Sequence, residues 1–456
     1  MGKIKFLILV MLIISSDFAN AQMWNNVGSS GFSAGEVQWT SMAIDGSGTP
    51  YVVYQDWGNS KKATVMKYNG SGWVTVGSAG FSAGQVQYPA IAIDGGGTPY
   101  VVYEDIFNGG KATVMKYNGS SWVNVGIPGF SAGEAGFNSI AINGSGTPYV
   151  VYQDGGHSAY VTVMEYNGSN WVTVGTAGFS PGWVIYTSIA IDGSGTPYVA
   201  YENPDTSGLG PVTVMKFIDS SWVNVGSINF SAGNTQYTSI AIDGTGTPYV
   251  AYEDYANSTK ATVMKYNGSS WVDVGIAGFS PGAVSWTSIA IDSSGTPYVA
   301  YEDYANSQKA TVMKYNGSSW VTVGSAGFSV AEAAYTSIAI NRSGTLYVVY
   351  EDYGISDYAT VMNFENSDEV KNVATPRPLL SVFPNPSYGT FTVSIPSASN
   401  EVATITITNL FGEKINELRT ITNSETEIQM DEPAGIYFVT AKTGSANYNS
   451  KIIVNK

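Results

Sequence analysis

The sequence repeats itself about every 50 residues over three quarters of its length, which leaves few folds open to it. The marker is a Trp-Val-x-Val-Gly element headed by Trp73, Trp122, Trp171, Trp222, Trp271 and Trp320, at spacings of 49, 49, 51, 49 and 49 residues. A lone version, Trp-Asn-Asn-Val-Gly at residues 24–28, stands another 49 residues upstream of Trp73. Periods of roughly 20–50 residues belong to solenoids, propellers and arrays, in which each copy buries its apolar faces against its neighbours.

One copy shows which of these applies. Residues 90–93 (Ala-Ile-Ala-Ile) form an apolar run that ends at the turn cluster Asp94-Gly95-Gly96-Gly97. Tyr100-Val101-Val102-Tyr103 follows, then a polar loop, then Ala-Thr-Val-Met-Lys-Tyr at 112–117. Asn118-Gly119 closes that run with the positive φ angles a tight hairpin needs and leads into Trp122-Val123-Asn124-Val125. Four short runs rich in Val, Ile, Thr and Tyr, each bounded by Gly, Asn, Asp or Pro, are strands; no helical period competes. Four antiparallel strands per copy describe a β-propeller blade. We label them A to D outward from the axis. A and B are apolar on both faces, as strands covered by neighbouring blades must be, whereas D alternates, as an outer strand with one wet side does.

The A–B–C set occurs seven times, the last at residues 337–340, 346–350 and 359–364, and no Trp-Val-x-Val-Gly follows it. Residues 24–28 supply the missing D strand from the other end of the chain, which removes two open sheet edges. The expected fold is therefore all-β: a seven-bladed β-propeller over 22–366 whose N-terminal strand closes the last blade. A linear solenoid would need distinct capping repeats, and none is present.

Strand direction places the A–B and C–D turns on one side of such a ring and the B–C loops and D–A crossovers on the other. The first side is monotonous. Its Asp-Gly-Ser-Gly-Thr turns (Asp45, Asp192, and variants at Asp94, Asn143, Asp243 and Asn341) resemble the Asp-box turn of sialidase-like propellers, and an Asp or Asn accepting backbone N–H bonds accounts for them. The second side varies from copy to copy, which makes it the expected binding face. Two sets of residues recur there. An aromatic precedes each apolar A run: Trp39, Tyr88, Phe137, Tyr186, Tyr237, Trp286 and Tyr335. An acid closes most B strands: Asp56, Asp105, Asp154, Asp254, Asp303 and Asp352, each after a Gln or Glu. Flat aromatic faces beside hydrogen-bond acceptors are what sugar rings need, so both sets are expected ligand-binding residues. The competing reading is structural: aromatics plugging blade joints and aspartates capping loops.

Composition excludes several functions. With a net charge of −15 and a pI near 4.4 the chain carries no nucleic-acid footprint. It has no cysteine, hence no disulfide or thiolate chemistry, and His157 is its single histidine, hence no histidine-rich metal site. No metal or cofactor is expected. Only Arg342, Arg377 and Arg419 are present, too few for the arginine clamp of a sialidase. The repeated carboxylates are equivalent, whereas glycoside cleavage needs two in different environments, so no catalytic residue is assigned. The least regular copy is the fourth, with Glu202, Asn203, Asp205 and a longer loop to Pro211.

The two ends concern export. Lys3 and Lys5, the apolar run 6–14 and Ala19-Asn20-Ala21 make residues 1–21 a secretory signal peptide, too short to span a membrane. No later run is long and apolar enough for a transmembrane segment in the mature protein. Residues 367–378 are a polar, proline-bearing linker. Beyond it, 379–456 alternates as a small antiparallel β-sandwich does. This segment carries Phe383-Pro384-Asn385-Pro386, Gly389, Phe391, Leu410-Phe411-Gly412, Ala434-Gly435-Ile436-Tyr437 and Lys451, and with them resembles the type A C-terminal sorting domain of the type IX secretion system of Bacteroidetes. The resemblance implies a partner, the outer-membrane secretion machinery, and delivery outside the cell or onto its surface. The expected function is a secreted or cell-surface binding or adhesion module directed at a glycan or another surface ligand. A polysaccharide-degrading enzyme and a purely structural surface protein are the alternatives.

Overall fold

A computed structural model describes residues 23–204, 208–365, 380–395, 397, 400–409, 412–443 and 447–455. Outside them lie residues 1–21, expected to be a signal peptide, residues 367–378, expected to be a linker and including Arg377, as well as Asp205 and the Leu410-Phe411 pair. The chain divides into two compact units, Met1–Asn366 and Ser367–Lys456.

Among the described residues the first unit is a β-propeller of seven four-stranded antiparallel sheets, with single turns of 3-10 helix between most B and C strands. In the second blade, A to D are Val86–Ile93, Pro99–Asp105, Lys111–Tyr117 and Trp122–Asn124, hydrogen-bonded in that order. Neighbouring blades cover both faces of each B strand, so Val101 and Val102 are equally buried although they point opposite ways. Each A strand packs on the A strand of the next blade, and Ala333–Ile340 packs on Val37–Ile44 to close the ring. The N-terminal strand Asn25–Asn26 pairs antiparallel with the last C strand, Tyr358–Phe364, in the position a D strand takes elsewhere.

The repeated tryptophans are joint fasteners. Trp122 donates its indole N–H to the Val76 carbonyl of the preceding blade at 2.7 Å and stacks on Phe81 at 4.1 Å. Trp24 does the same across the closing joint, donating to Val323 O at 2.9 Å and stacking on Phe328 at 4.1 Å. A buried indole N–H needs such an acceptor, which explains why the Trp and the Phe of the crossover recur together. The glycine ending each D element is equally constrained. Gly77 has φ +73°, and a Cβ there would stand 3.0 Å from ring atoms of Tyr117 and Trp122.

One boundary departs from the pattern. Most A strands are eight residues long, as in Val37–Ile44, and the aromatic lies inside the strand rather than before it. Register slips there: Gln38 opposes Gln55, but the next partners are Ser41 and Val53. This β-bulge breaks the alternation, so only the half of the strand beyond it reads as a strand from sequence.

The second unit is a sandwich. One sheet orders Ser381–Phe383, Thr390–Ser394 and Glu425–Gln429; the other orders Lys414–Ile421, Val402–Thr408, Gly435–Lys442 and Asn447–Val454. Phe391, Val393, Ile405, Ile407, Val439 and Ile452 fill the space between them. Asn385 ties the start of the domain to its end: its Nδ2 donates to Lys451 O at 2.8 Å and its Oδ1 accepts from Ile453 N at 2.9 Å.

Candidate functional site

The seven bulges have one result. Trp39, Tyr88, Phe137, Tyr186, Tyr237, Trp286 and Tyr335 all sit in the left-handed region, with φ between 47° and 56°. For a non-glycine residue this costs about 1–2 kcal/mol, and here it is incurred once per blade. Bulges re-aim side chains, and these re-aim seven aromatics toward the axis, where each contacts the next. Around the ring the centroids are 5.2, 4.9, 5.0, 5.0, 4.4, 4.1 and 6.3 Å apart, the last between Tyr335 and Trp39. The rings are half-buried and line a cavity of about 450 Å³. Each touches the aromatics of the adjacent blades, and all seven share the one cavity.

Hydroxyls hold the ring in place. Thr40 Oγ1 donates to the backbone carbonyl of Tyr335 in the neighbouring blade at 2.7 Å, and Thr287 and Thr336 do so to Tyr237 and Trp286 at 2.5 Å each. One residue further on, a serine Oγ accepts from the next A strand, as Ser41 does from Ile91 N and Ser288 from Ile338 N, at 3.4 and 3.2 Å. These serines and threonines line the cavity with the aromatics. The second blade has Pro89 and Ala90 at these two positions, so its wall lacks both hydroxyls. The result is an apolar ring over a hydroxyl-rich throat.

The aspartates are not brought to this cavity. Asp303 is fully buried at the end of its B strand, where Oδ2 accepts from Thr311 Oγ1 and Asn306 Nδ2, both at 2.8 Å, and Oδ1 from Ala305 N at 3.0 Å. Thr311 Oγ1 in turn accepts from Gly327 N at 2.8 Å, which fastens the crossover to the loop. Asp56, Asp105, Asp154, Asp254 and Asp352 take equivalent bonds from Thr64, Thr113, Thr162, Thr262 and Thr360. The six aspartates organise the loops on the face that varies from blade to blade. His157 joins in the same way, its Nδ1 lying 2.8 Å from Asp154 Oδ2 where other blades place an asparagine amide.

The Gln or Glu that precedes each of these aspartates, with Glu202 in the fourth blade, forms a second circle close to the aromatic one. Glu202, Glu253, Glu302 and Glu351 are at most 5% exposed. Burial pushes Glu253 up to about 8, helped by the charge of Glu302, and Glu351 up to about 8, helped by Asp357, Glu36 and Glu332. Burial likewise takes Glu302 to about 7, against a hydrogen bond from Gln308, and raises Glu202 well above the carboxylate range. These acids raise the hydroxyls of Tyr186, Tyr237 and Tyr335 in turn, secondary to burial of those rings. The acids run unbroken through the fourth to seventh blades; in the other three only the second blade has one here, Glu104, which burial raises to about 7, between Gln55 and Gln153.

The monotonous face is not featureless either. Lys265 lies over the Tyr249 ring at 5.8 Å and Lys314 over Tyr298 at 6.0 Å, lining clefts between adjacent blades. Among the described residues, no cluster of three or more His, Asp or Glu is placed to hold a metal ion, and no helix is long and apolar enough to cross a membrane.

The tail is where a comparison decides. Residues 381–455 match the family model described as a secretion system C-terminal sorting domain. They are a type IX sorting domain. Such a tail marks the chain for export to the cell surface or the extracellular space and implies contact with the secretion machinery. No curated protein matches the chain in sequence. Among solved structures it is similar to an ulvan lyase of polysaccharide lyase family PL25 (14% identity, 73% of this chain and 94% of that one, TM-score 0.48). It is also similar to a Penicillium chrysogenum α-L-arabinanase (12%, 76% and 98%, 0.45) and to the Aleuria aurantia lectin (17%, 64% and 96%, 0.43). At these identities and scores the likenesses carry no functional weight.

Proposed function

We propose that this protein is an exported binding module whose axial ring of aromatics holds a carbohydrate. The observation that supports this is the convergence of seven strained aromatic residues on one hydroxyl-walled cavity. A packing role would not require all seven to be held in the left-handed region. Aromatic faces stack on the C–H faces of a sugar while serine and threonine hydroxyls meet its hydroxyls, and about 450 Å³ is the scale of a small-ligand pocket. The seven residues converge on one site, so the module is monovalent at its axis. No carboxylate lines the cavity, which disfavours glycoside cleavage there, since that chemistry needs two.

The test is a glycan-array screen of the full chain, followed by calorimetry on any hit with wild type and Trp286→Gly. Binding that weakens at least tenfold in the variant supports the reading. Absence of binding across broad polysaccharide and oligosaccharide panels would retire it. Release of products from a bound polysaccharide, abolished by Glu202→Gln, would favour an enzyme instead.

A further inference from the structure

Gln55 and Gln153 show what the position beside the buried aspartate does. Gln55 Nε2 donates to the carbonyl of Val86, the first residue of the next blade's A strand, and Gln153 Nε2 donates to Val184 in the same way. Both bonds cross a blade joint two residues before a ring aromatic, Tyr88 or Tyr186. In the fifth, sixth and seventh blades the position holds Glu253, Glu302 and Glu351. The register is the same: Gln55 opposes Gln38 and Ala63, as Glu253 opposes Gln236 and Ala261 and Glu302 opposes Ser285 and Ala310. The acceptor residues are equivalent as well. Val86 N donates to Lys61 O of the preceding loop, as Val284 N does to Thr259 O, Ala333 N to Gln308 O and Val37 N to Asp357 O. An ionised carboxylate cannot make the glutamine bond, because it has no proton to donate. A buried carboxylate facing a carbonyl would be left with an unsatisfied oxygen, and Glu253 Oε2 and Glu351 Oε2 have no donor within reach.

We propose that Glu253, Glu302 and Glu351 act as protonated carboxylic acids, each donating its O–H to the carbonyl of the next blade's A strand (Val284, Ala333 and Val37), so that deprotonation releases three adjacent joints beneath the aromatic ring. The raised ionisation of all three agrees with this. The groups facing them agree too. Glu253 meets Glu302, Glu202 and the hydroxyls of Tyr237 and Tyr255. Glu302 meets Glu332, Tyr237, Tyr353 and the Gln308 amide, which donates to its Oε1 at 3.0 Å. Glu351 meets Glu36, Glu332, Asp357, Tyr335 and Tyr353. None of these faces presents a cation that would favour the ionised form. Because each latched strand carries Trp286, Tyr335 or Trp39, the same protons set how firmly the ring is held. That consequence rests on the ring being the binding site; the latch itself does not.

The sign follows from linkage. The unfolded chain loses these protons near the ordinary glutamate value of about 4.3, whereas the fold keeps them to about 7 or 8. Stability from the latches is full below the unfolded value and is lost as pH rises through the folded ones. Thermal unfolding of the full chain between pH 4 and 9 is therefore expected to show a midpoint that falls between pH 5 and 8.5. The triple variant Glu253→Gln, Glu302→Gln, Glu351→Gln, which places the residue of blades one and three in blades five to seven, should unfold at higher temperature than wild type at pH 8.5 and match it at pH 4.5. A carboxylic-acid C=O infrared band present at pH 6.5 in wild type should lose most of its intensity in the variant, the remainder coming from Glu202 and Glu104, which the variant keeps. The idea is overturned if the triple variant, or each single variant, keeps the wild-type pH dependence or is less stable at pH 8.5. Either result is independent of whether any glycan binds.

Discussion

Replacing ring aromatics with glycine and, separately, with alanine separates strain from packing. Trp39, Phe137 and Trp286 have φ of 52°, 51° and 55°, and the glycine–alanine backbone difference is local to each site, so that difference should add even though the three share the ring neighbours Tyr88 and Tyr335. Both triple variants lose the same ring contacts, each worth about 0.5–1.5 kcal/mol, which leaves their difference to the backbone. In an ordinary strand alanine is favoured over glycine by about 0.5–1 kcal/mol per site. At these bulges alanine keeps the left-handed penalty of about 1–2 kcal/mol that glycine escapes, so glycine should win by roughly 0.5–1 kcal/mol per site. Three sites give about 2 kcal/mol in favour of glycine. A propeller of about 340 described residues has an unfolding entropy near 0.7 kcal/mol/K, which puts the glycine triple about 3 °C above the alanine triple in Tm. Ordinary strand behaviour would place it about 3 °C below, so scanning calorimetry of the two proteins reads a difference of sign. An alanine triple as stable as the glycine triple, or more so, would show that the aromatics are not held against a backbone cost, and the case for a built site would fall with it.

Three further outcomes follow from the packing. Asp303→Ala strands the buried Thr311 hydroxyl and the Ala305 N–H without their acceptor, so it should cost about 3 kcal/mol while leaving the affinity for any axial ligand unchanged. A loss confined to affinity would return the aspartates to the binding site. Trp24→Ala removes the indole bond to Val323 and the stack on Phe328, and should cost about 3–5 kcal/mol. Limited proteolysis should then cut first in the N-terminal strand; cleavage elsewhere, with an unchanged Tm, would refute its closing role. Deleting residues 381–455 should leave the chain inside the cell envelope by fractionation and immunoblotting. Undiminished surface delivery would contradict the export role of the tail.

Much of the fold is legible in the sequence. The 49-residue Trp spacing, the Asn-Gly and Asp-Gly turns and the orphan residues 24–28 are local signals. A repeating unit that cannot bury its own two apolar faces must stack and close on itself. The sorting domain was legible for a different reason, a set of short motifs in a matching order. The candidate site was half legible. The aromatics stood out by recurrence, but the run that carries each one does not alternate, because the bulge inserts a residue, and so their direction could not be inferred. The aspartates stood out equally and belong to the loops, since recurrence marks whatever every blade needs, whether for binding or for building.

Residue identity and period thus determined the architecture, the closure by Trp24 and the export tail. Tertiary structure alone decided that seven aromatics meet at one axis, and that Gln55 spans a joint where Glu253 stands in an equivalent place. Those relations hold between residues in different blades, from 31 to some 50 or more positions apart. They depend on the direction each bulge gives its aromatic and on ring closure, which involve neighbouring blades and are not specified within any single repeat.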